Sequence, residues 1–448
     1  MKLTVQIHID QAWHDAAELS LLDQDKGVKG TSRLRYATDY AVEWLFRDDL
    51  HACSMQLPVE LMLTHESSPW FGFLEDIMPS GASRRFWVDY LGLHDLPAGR
   101  QDVELLTHGT IAPVGNLRIK EAVPDVSAKQ TLEERRFPMQ SVVERQVDFL
   151  EYAQQMGAAS GGATGAGGEA PKLLLRFTED EQVWIDTWQD DRHRSDLPML
   201  VKFPRGSRSD DDCDILRAEY HYYQELASLG VETIDTDQMR LVEGERYPSL
   251  WLPRFDMQYL DGAWVRYGLE SVYTLMGAAP GSFLRHGETL RRLVSLLHDQ
   301  YRVREGGEAF DSESFVLEWV KRDLLNIAFG NSDNHGRNTA LLKRPEGIGL
   351  APVYDFAPMK ADPEGVTRTT QWGLPLETGG EYDWPAIAES LADVIAPERV
   401  MNELRMLAAG LEGVDERLAE RGVPSRILDM PAVGLRTIST RLKRWELL

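Results

Sequence analysis

The chain has 448 residues, of which 43% are hydrophobic, 27% charged and 9% aromatic. This composition is typical of a globular protein with a large core, and it argues against a disordered chain or a small disulfide-stapled scaffold. The formal net charge of −24 repels phosphate polymers, so a stand-alone nucleic-acid binder is not expected.

The cysteines and the first residues indicate the compartment. Cys53 and Cys213 are too few for a disulfide framework or a structural zinc site. Residues 1–9 alternate apolar and polar side chains, which predicts a strand rather than a signal peptide. No apolar run reaches the ~18 residues of a membrane span. We therefore expect a cytoplasmic protein with no membrane partner.

The first half of the chain combines strand and helix patterns. Residues 1–140 mix both and predict an α+β region. A glycine-rich, low-complexity stretch follows at 156–171. It leads directly into a predicted β-hairpin with strands at 172–177 and 183–188, and a third strand is predicted at 197–203.

The second half is predicted to be mostly helical. Apolar spacing predicts a helix over 214–229 that ends at Gly230. Glu219 falls on the apolar face of this helix and needs a partner, because an unpaired buried charge costs several kcal/mol. Further helices are predicted near 288–301, 313–329, 385–411 and 431–446.

A candidate catalytic loop follows the helix predicted at 313–329. Asp333 and Asn338 have the Asp-x-x-x-x-Asn spacing of a kinase catalytic loop, where Asp receives the acceptor proton and Asn binds Mg²⁺. Seventeen residues after Asn338, Asp355 in a Tyr-Asp-Phe sequence supplies a second oxygen ligand of the kind Mg²⁺ prefers. The alternative is an ordinary turn, since the string is rich in turn-forming residues.

A nearby sequence imitates part of this loop. The stretch 322–326 begins Arg322-Asp323 and ends at Asn326. The distance from its Asp to its Asn does not match the catalytic-loop spacing, and the stretch lies inside a helix pattern. We therefore assign these residues no chemical role.

Two further charges and the glycine-rich stretch follow the order of kinase elements. Lys202 is a lone cation in an apolar strand, and Glu219 follows it in the next helix, as in the Lys–Glu pair of protein kinases. The stretch at 156–171 stands where a phosphate-covering loop belongs, although it matches neither the Walker pattern nor Gly-x-Gly-x-x-Gly. The alternatives are a snorkelling edge lysine, a surface glutamate and a flexible linker.

At these residues the chain resembles the HipA-like serine/threonine kinases of bacterial toxin–antitoxin systems. The resembling segments are Gly167–Leu175, Leu200–Pro204, Arg217–Tyr220, Arg254–Asp256, Gly330–Asn338 and Tyr354–Asp355, with Phe73–Pro79, Asp102–His108 and Val114–Gly115 for the N-terminal subdomain. The resemblance implies an α+β, two-lobed, protein-kinase-like fold. Its implied domains are a HipA-like N-terminal subdomain at 1–140, an ATP-binding N-lobe with a Gly-rich loop at 141–256, and a mainly helical C-lobe with the catalytic loop at 257–448.

The resemblance also implies ATP and Mg²⁺ as cofactors and a role for each matched residue. Asp333 would be the catalytic base, with His335 in the same catalytic set, and Asn338 and Asp355 would bind the metal. The implied ATP-binding residues are Lys202, Glu219, Arg254, Phe255, Asp256, Gly167, Gly168 and Lys172.

The implied partners are a protein substrate and a small helix-turn-helix antitoxin. The known toxins phosphorylate aminoacyl-tRNA synthetases, and the antitoxin carries the DNA contacts, so DNA would be reached only through it. The family often has a self-phosphorylated serine before its paired glycines. Gly165 stands there, and Thr164 and Ser160 are the candidate hydroxyls nearby. Pro253 precedes Arg254 where the family commonly has Glu.

The leading hypothesis is an ATP- and Mg²⁺-dependent kinase acting on a Ser or Thr hydroxyl of a protein. One alternative is a catalytically weak binding module that keeps the cleft and sequesters a partner, which a titration with Mg-ATP would distinguish. The other is a small-molecule kinase of related architecture, for which the phosphoproteome would stay unchanged on expression.

Overall fold

The computed structural model describes residues 1–111, 114–123, 135–155, 171–185, 194–303 and 310–448. These residues form two compact units. Unit 1 contains Met1–Gly206, Asp237–Ala278 and Ala340–Ile348, and unit 2 contains Ser207–Thr236, Ala279–Thr339 and Gly349–Leu448. The three predicted domains stay a prediction.

An antiparallel five-stranded sheet begins unit 1. Its strands are β1 (Lys2–Ile9), β2 (Ala12–Leu21), β3 (Ser32–Tyr36), β4 (His65–Ser67) and β5 (Leu117–Ile119), in the order β4-β3-β2-β1-β5. The strand predicted for residues 1–9 is confirmed, because its apolar positions are buried in the core. The helices of this part are Thr38–Glu43, Gly72–Ile77, Gly81–Tyr90 and Ala98–His108.

A six-stranded antiparallel sheet forms the second part of unit 1. Its strands are β6 (Phe137–Pro138), β7 (Lys172–Phe177), β8 (Gln182–Trp184), β9 (Leu197–Lys202), β10 (Arg240–Glu243) and β11 (Pro248–Pro253), in the order β10-β11-β9-β7-β8-β6. The predicted hairpin and third strand are therefore confirmed, although positions 186–188 of the hairpin lie outside the described residues. The helices Met139–Val143 and Val147–Gln155 share the core of this sheet.

The prediction of mostly helical structure after residue 256 was wrong for the stretch that completes unit 1. Met257–Leu260 pairs with Ala263–Arg266, and Gly268–Ser271 pairs with Ala340–Lys343. Each of these strands has four residues. A four-residue strand contains only two repeats of the apolar–polar pattern, which is too short for the pattern to indicate a strand. A short helix, Val272–Met276, follows.

Unit 2 is mainly helical. Its helices are Asp210–Ser228, His286–Val303, Ser312–Ala328, Trp384–Glu389, Pro397–Leu411, Val414–Arg421, Ser425–Leu428 and Ile438–Arg444. Its short strands are Leu284–Arg285, Thr370–Gln371, Glu377–Thr378 and Glu381–Tyr382, and Ile348–Leu350 carries the chain into it. None of the helices in the described ranges has the length and apolar character that a membrane crossing needs.

Most predicted helices of unit 2 are present, with differences at their ends. The single helix predicted over 385–411 is wrong, because Pro397 begins a second helix and a proline cannot continue the preceding one. The helix predicted from 214 begins at Asp210, where Ser209 and Asp212 form a capping box. The last helix covers only Ile438–Arg444 of the predicted 431–446.

A buried carboxylate ties the first part of unit 1 to the strand Gly268–Ser271. Glu270 accepts hydrogen bonds from the Met55 N–H at 3.0 Å and from the Ser54 hydroxyl, and Lys343 Nζ lies 3.4 Å from it. The side chains of Glu270 and Lys343 are each 1% exposed. This pair therefore holds residues 54–55 against the strand Gly268–Ser271.

We expect Glu270→Ala to destabilise the protein by about 3–5 kcal/mol, because it leaves the Lys343 charge buried without its carboxylate. The matched control is Glu18→Ala, which removes a partner of exposed Lys2 and should cost less than about 1 kcal/mol. Urea unfolding followed by circular dichroism measures both. Equal losses in the two variants would contradict the prediction.

Candidate active site

The helix Ser312–Ala328 delivers the chain to the candidate catalytic loop. Its apolar residues Phe315, Trp319 and Ile327 are buried, and so is Phe329, which follows the helix. Gly330 then turns the chain with a φ of 67°, and a Cβ at this position would lie 2.9 Å from Val433. Only glycine satisfies both conditions without strain. The loop therefore starts from a fixed point.

A relay of amide groups holds the backbone of Asp333. The Asn331 side chain donates to Asn326 Oδ1 at 2.8 Å, and its Oδ1 accepts the Asp333 N–H at 3.2 Å. The Asn331 N–H also donates to the Asn326 carbonyl at 2.8 Å. The sequence analysis assigned Asn326 no chemical role. In the structure its side chain and its carbonyl hold Asn331, and through it the loop.

Asn338 closes the loop onto Asp333. Its Nδ2 donates to the Asp333 carbonyl at 2.8 Å, which fixes the orientation of the amide. Its Oδ1 is buried and has no hydrogen-bond partner among the residues that the structure describes. A buried amide oxygen without a donor is unusual, and it has the chemistry of a ligand for a hard cation.

His335 lies beside the Asp333 carboxylate. Its Nδ1 accepts the Arg337 N–H at 3.2 Å, so the ring proton of the neutral imidazole is on Nε2. Nε2 lies 3.5 Å from Asp333 Oδ1. Both side chains are 22% exposed, so solvent or a substrate can reach them. The imidazole can therefore orient the carboxylate.

Asp355 is held from both sides. Its φ is 53°, which is rare and strained for a residue with a side chain. The preceding Tyr354 hydroxyl donates to the Arg337 carbonyl at 2.5 Å, next to Asn338. The following Phe356 N–H donates to the Tyr223 hydroxyl at 3.3 Å. Together with the bond from Asn338 to the Asp333 carbonyl, the Tyr354 bond links the loop 333–338 and the turn at Asp355 in one hydrogen-bond network.

Tyr223 connects this network to Glu219. Its hydroxyl donates to Glu219 Oε1 at 2.9 Å, so the predicted need of Glu219 for a partner is confirmed. Burial, with the charges of Glu219 and Asp355, raises the pKa of Tyr223 well above its ordinary value. The hydroxyl therefore stays protonated and remains a donor. Sequence analysis did not identify Tyr223, which carries the same helical spacing as an ordinary core aromatic residue.

Unit 1 contains the predicted lysines. Lys172 in β7 lies directly opposite Lys202 in β9, and both are buried. Directly paired residues of neighbouring strands point to the same face of a sheet. The two lysine side chains therefore share one face of the sheet.

Arg254 and Asp256 form a buried ion pair in unit 1. Two guanidinium nitrogens lie 2.9 Å and 2.5 Å from the carboxylate, which also accepts the Gly115 N–H at 2.6 Å. Burial raises the pKa of Asp256, but Arg254 and the Gly115 N–H outweigh it and lower the pKa. The pair connects the chain after β11 to the predicted N-terminal subdomain, and Phe255 lies between the two residues.

Several predicted positions lie outside the described residues. They are Gly167 and Gly168 of the glycine-rich loop and the candidate hydroxyls of Ser160 and Thr164.

Asp323 is the residue that sequence analysis missed most clearly. It was given no role because of its spacing, but its side chain is 1% exposed and pairs with Arg368 at 2.7 Å. A carboxylate on the apolar face of a predicted helix was the available signal. The same signal had been used for Glu219.

Comparison with known proteins identifies the family. The family described as HipA-like C-terminal domain matches residues 164–412, more than half of the chain. A protein of Sinorhizobium fredii (strain NBRC 101917 / NGR234) named "Putative kinase Y4mE" is 24% identical over 333 residues, which cover 72% of each chain.

A solved structure has the same fold. It is the complex of the Shewanella oneidensis MR-1 toxin–antitoxin system, HipA and HipB with operator DNA. One of its chains aligns with a TM-score of 0.64 and 16% identity over 99% of this chain and 97% of its own length. The predicted fold and family resemblance are therefore confirmed: the chain belongs to the HipA-like family.

Proposed function

We propose that this chain is an ATP- and Mg²⁺-dependent protein kinase that phosphorylates a Ser or Thr hydroxyl. The observation that carries the proposal is the network of unit 2, in which Asp333, Asn338 and Asp355 are held together by the bonds of their neighbours. A carboxylate base and two side chains that offer oxygen ligands to Mg²⁺ are groups that kinases use for phosphoryl transfer.

Asp333 is the proposed general base. Its backbone is fixed by Asn331, and His335 donates toward Oδ1, so the carboxylate is presented in a set orientation. It would accept the proton of the acceptor hydroxyl as that oxygen attacks phosphorus.

Asn338 and Asp355 are the proposed metal ligands. Asn338 Oδ1 fits this role because its amide nitrogen is already used and its oxygen has no donor within the described ranges. Mg²⁺ is usually held by one or two protein oxygens together with phosphates and water, so a larger cluster is not expected. When bound, the ion neutralises charge on the phosphoryl group that is transferred.

Lys172 and Lys202 are the proposed phosphate-binding cations. Their side chains point to the same face of the sheet, so both ammonium groups can contact one bound polyanion. ATP carries such an anion in its triphosphate. Arg254, Phe255 and Asp256 would support the nucleotide site by fixing the backbone after β11, and Glu219 would act through the Tyr223 hydroxyl.

The proposed partners follow from the family. The similar Shewanella oneidensis protein system contains HipB and operator DNA. We propose a helix-turn-helix antitoxin for this chain also, with DNA reached only through it, which the net charge of −24 favours. An aminoacyl-tRNA synthetase is the proposed class of acceptor protein.

Asp333→Asn should lower the rate of phosphate transfer by about 10² to 10⁴, because it removes the base and keeps the shape. Transfer of labelled phosphate from ATP to protein in cell extract measures the rate. Asp393→Asn, which changes an exposed carboxylate paired with Arg291, is the matched control and should leave the rate unchanged. Equal rates in the wild type and Asp333→Asn would contradict the role of Asp333.

Asn338→Ala should raise the Mg²⁺ concentration needed for half-maximal transfer by about 10- to 100-fold, because one oxygen ligand is lost. Asn338→Asp keeps an oxygen at this position and should raise it less. Transfer rates measured across a Mg²⁺ titration test both variants. A slower Asn338→Ala enzyme with an unchanged Mg²⁺ requirement would remove Asn338 from the metal site.

A further inference from the structure

The Asp323 carboxylate is a buried charge beside the candidate catalytic loop, and side chains from several segments bond to it. Its Oδ1 accepts from Arg368 Nη2 at 2.7 Å and from Asn334 Nδ2 at 3.2 Å, and His286 Nε2 lies 3.2 Å away. Its Oδ2 accepts from Trp372 Nε1 at 2.8 Å. Four donors therefore converge on one side chain.

The carboxylate is ionised, and the donors around it have defined orientations. Burial raises the pKa of Asp323, but Arg368 and His286 outweigh it and bring the pKa to about 2. The Trp319 indole donates to His286 Nδ1 at 2.9 Å, so the imidazole proton is on Nε2 and faces Asp323. Charge-assisted bonds of this kind are about twice as strong as neutral ones, so the arrangement resists displacement.

Apart from His286, the partners of Asp323 belong to two segments, the candidate catalytic loop and the segment after Asp355. Asn334 follows Asp333 directly in the catalytic loop, whereas Arg368 and Trp372 lie in the segment after Asp355. The two segments also meet directly, because the Thr370 N–H donates to the Asn334 carbonyl at 3.3 Å. Asp323 therefore holds the place where the loop and the later segment join.

The two residues of the later segment that bind Asp323 also make hydrogen bonds to residues 377–382. Arg368 Nη1 donates to the Tyr382 hydroxyl at 3.1 Å, and the Trp372 N–H donates to Glu377 Oε2 at 2.9 Å. Both residues that bind Asp323 thus also tie residues 377–382 to the segment. A change at Asp323 would be transmitted along this part of unit 2.

We propose that Asp323 is a positioning residue of the active site: it sets the catalytic loop through Asn334 and the segment Arg368–Trp372 through Arg368 and Trp372. The proposal rests on the proposed kinase function. Asp323 touches neither acceptor nor nucleotide in this account. It acts on the position of Asp333, and an error of about 1 Å there can cost about 10²-fold in rate.

Another buried carboxylate of unit 2, Glu225, serves as a matched control. Glu225 is 1% exposed and pairs with Arg417 at 2.8 Å and Arg421 at 3.0 Å. It joins the helix Asp210–Ser228 to the helix Val414–Arg421. Neither helix includes a residue of the candidate catalytic loop, 331–338. A purely structural role for Asp323 would make the two carboxylates behave alike.

The first test compares Asp323→Asn with Glu225→Gln at a temperature where circular dichroism shows both to be folded. Asp323→Asn should lower kcat by about 10- to 100-fold and change the KM for Mg-ATP less than about threefold, because loop position and not nucleotide binding is altered. Glu225→Gln should keep kcat within about threefold of the wild type. Equal kcat losses in both variants, or an unchanged kcat in Asp323→Asn, would overturn the proposal.

The second test is a double-mutant cycle with Asn334→Ala. If Asp323 acts through Asn334, the double variant should be at most about threefold slower than Asp323→Asn alone, because one change weakens and the other removes the same hydrogen bond. If the kcat losses of the two single variants multiply in the double variant, Asp323 does not act through Asn334. Should Asp323→Asn fail to fold, Trp372→Phe removes one of its donors and should lower kcat by about 3- to 10-fold; an unchanged kcat would count against the proposal.

The third test does not need kinase activity. Hydrogen exchange measured by mass spectrometry should be faster in residues 331–338 and 368–372 of Asp323→Asn and unchanged there in Glu225→Gln. Unaltered exchange in Asp323→Asn would overturn the positioning role. A wild type that transfers no phosphate, combined with altered exchange, would refute the proposed function and leave the positioning role supported.

Discussion

A charge buried inside a protein needs an opposite charge or hydrogen-bond donors around it, and in unit 2 this requirement determines how the candidate site is assembled. Asp323 can stay ionised inside the protein only because Arg368, Trp372, His286 and Asn334 surround it. Those partners come from separate segments of the chain. Satisfying one carboxylate therefore fixes the relative positions of a helix, the candidate catalytic loop and the segment that follows Asp355.

The same constraint acts at Glu219. Its bond to the Tyr223 hydroxyl places that hydroxyl where it also accepts the Phe356 N–H, so the helix and the turn at Asp355 are coupled. Asn338 shows the opposite case. Its side-chain oxygen is buried and has no hydrogen-bond donor in the described part of the chain. This missing hydrogen bond is what favours a role as a metal ligand. In the described part of the site, hydrogen-bonded groups thus support one amide oxygen that has no donor.

Glu219 and Asp323 presented the same signal in the sequence but received different interpretations. Each is a carboxylate on the apolar face of a helix. For Glu219 the need for a partner was stated and confirmed, whereas Asp323 was judged by its distance from Asn326 and set aside. Motif spacing was the wrong criterion, because a residue that supports a loop need not belong to its motif. Burial was the better criterion for both.

The sequence by itself determined the features that depend on neighbouring residues: the strand at the N-terminus, the hairpin with β9, the helix before the catalytic loop, and the spacing of Asp333 and Asn338. Only the tertiary structure decided the four-residue strands after residue 256 and the partners of Asp323, which lie up to 49 residues away along the chain. Local periodicity arises from backbone geometry within a few residues. Pairing between distant side chains depends on which segments the whole fold brings together.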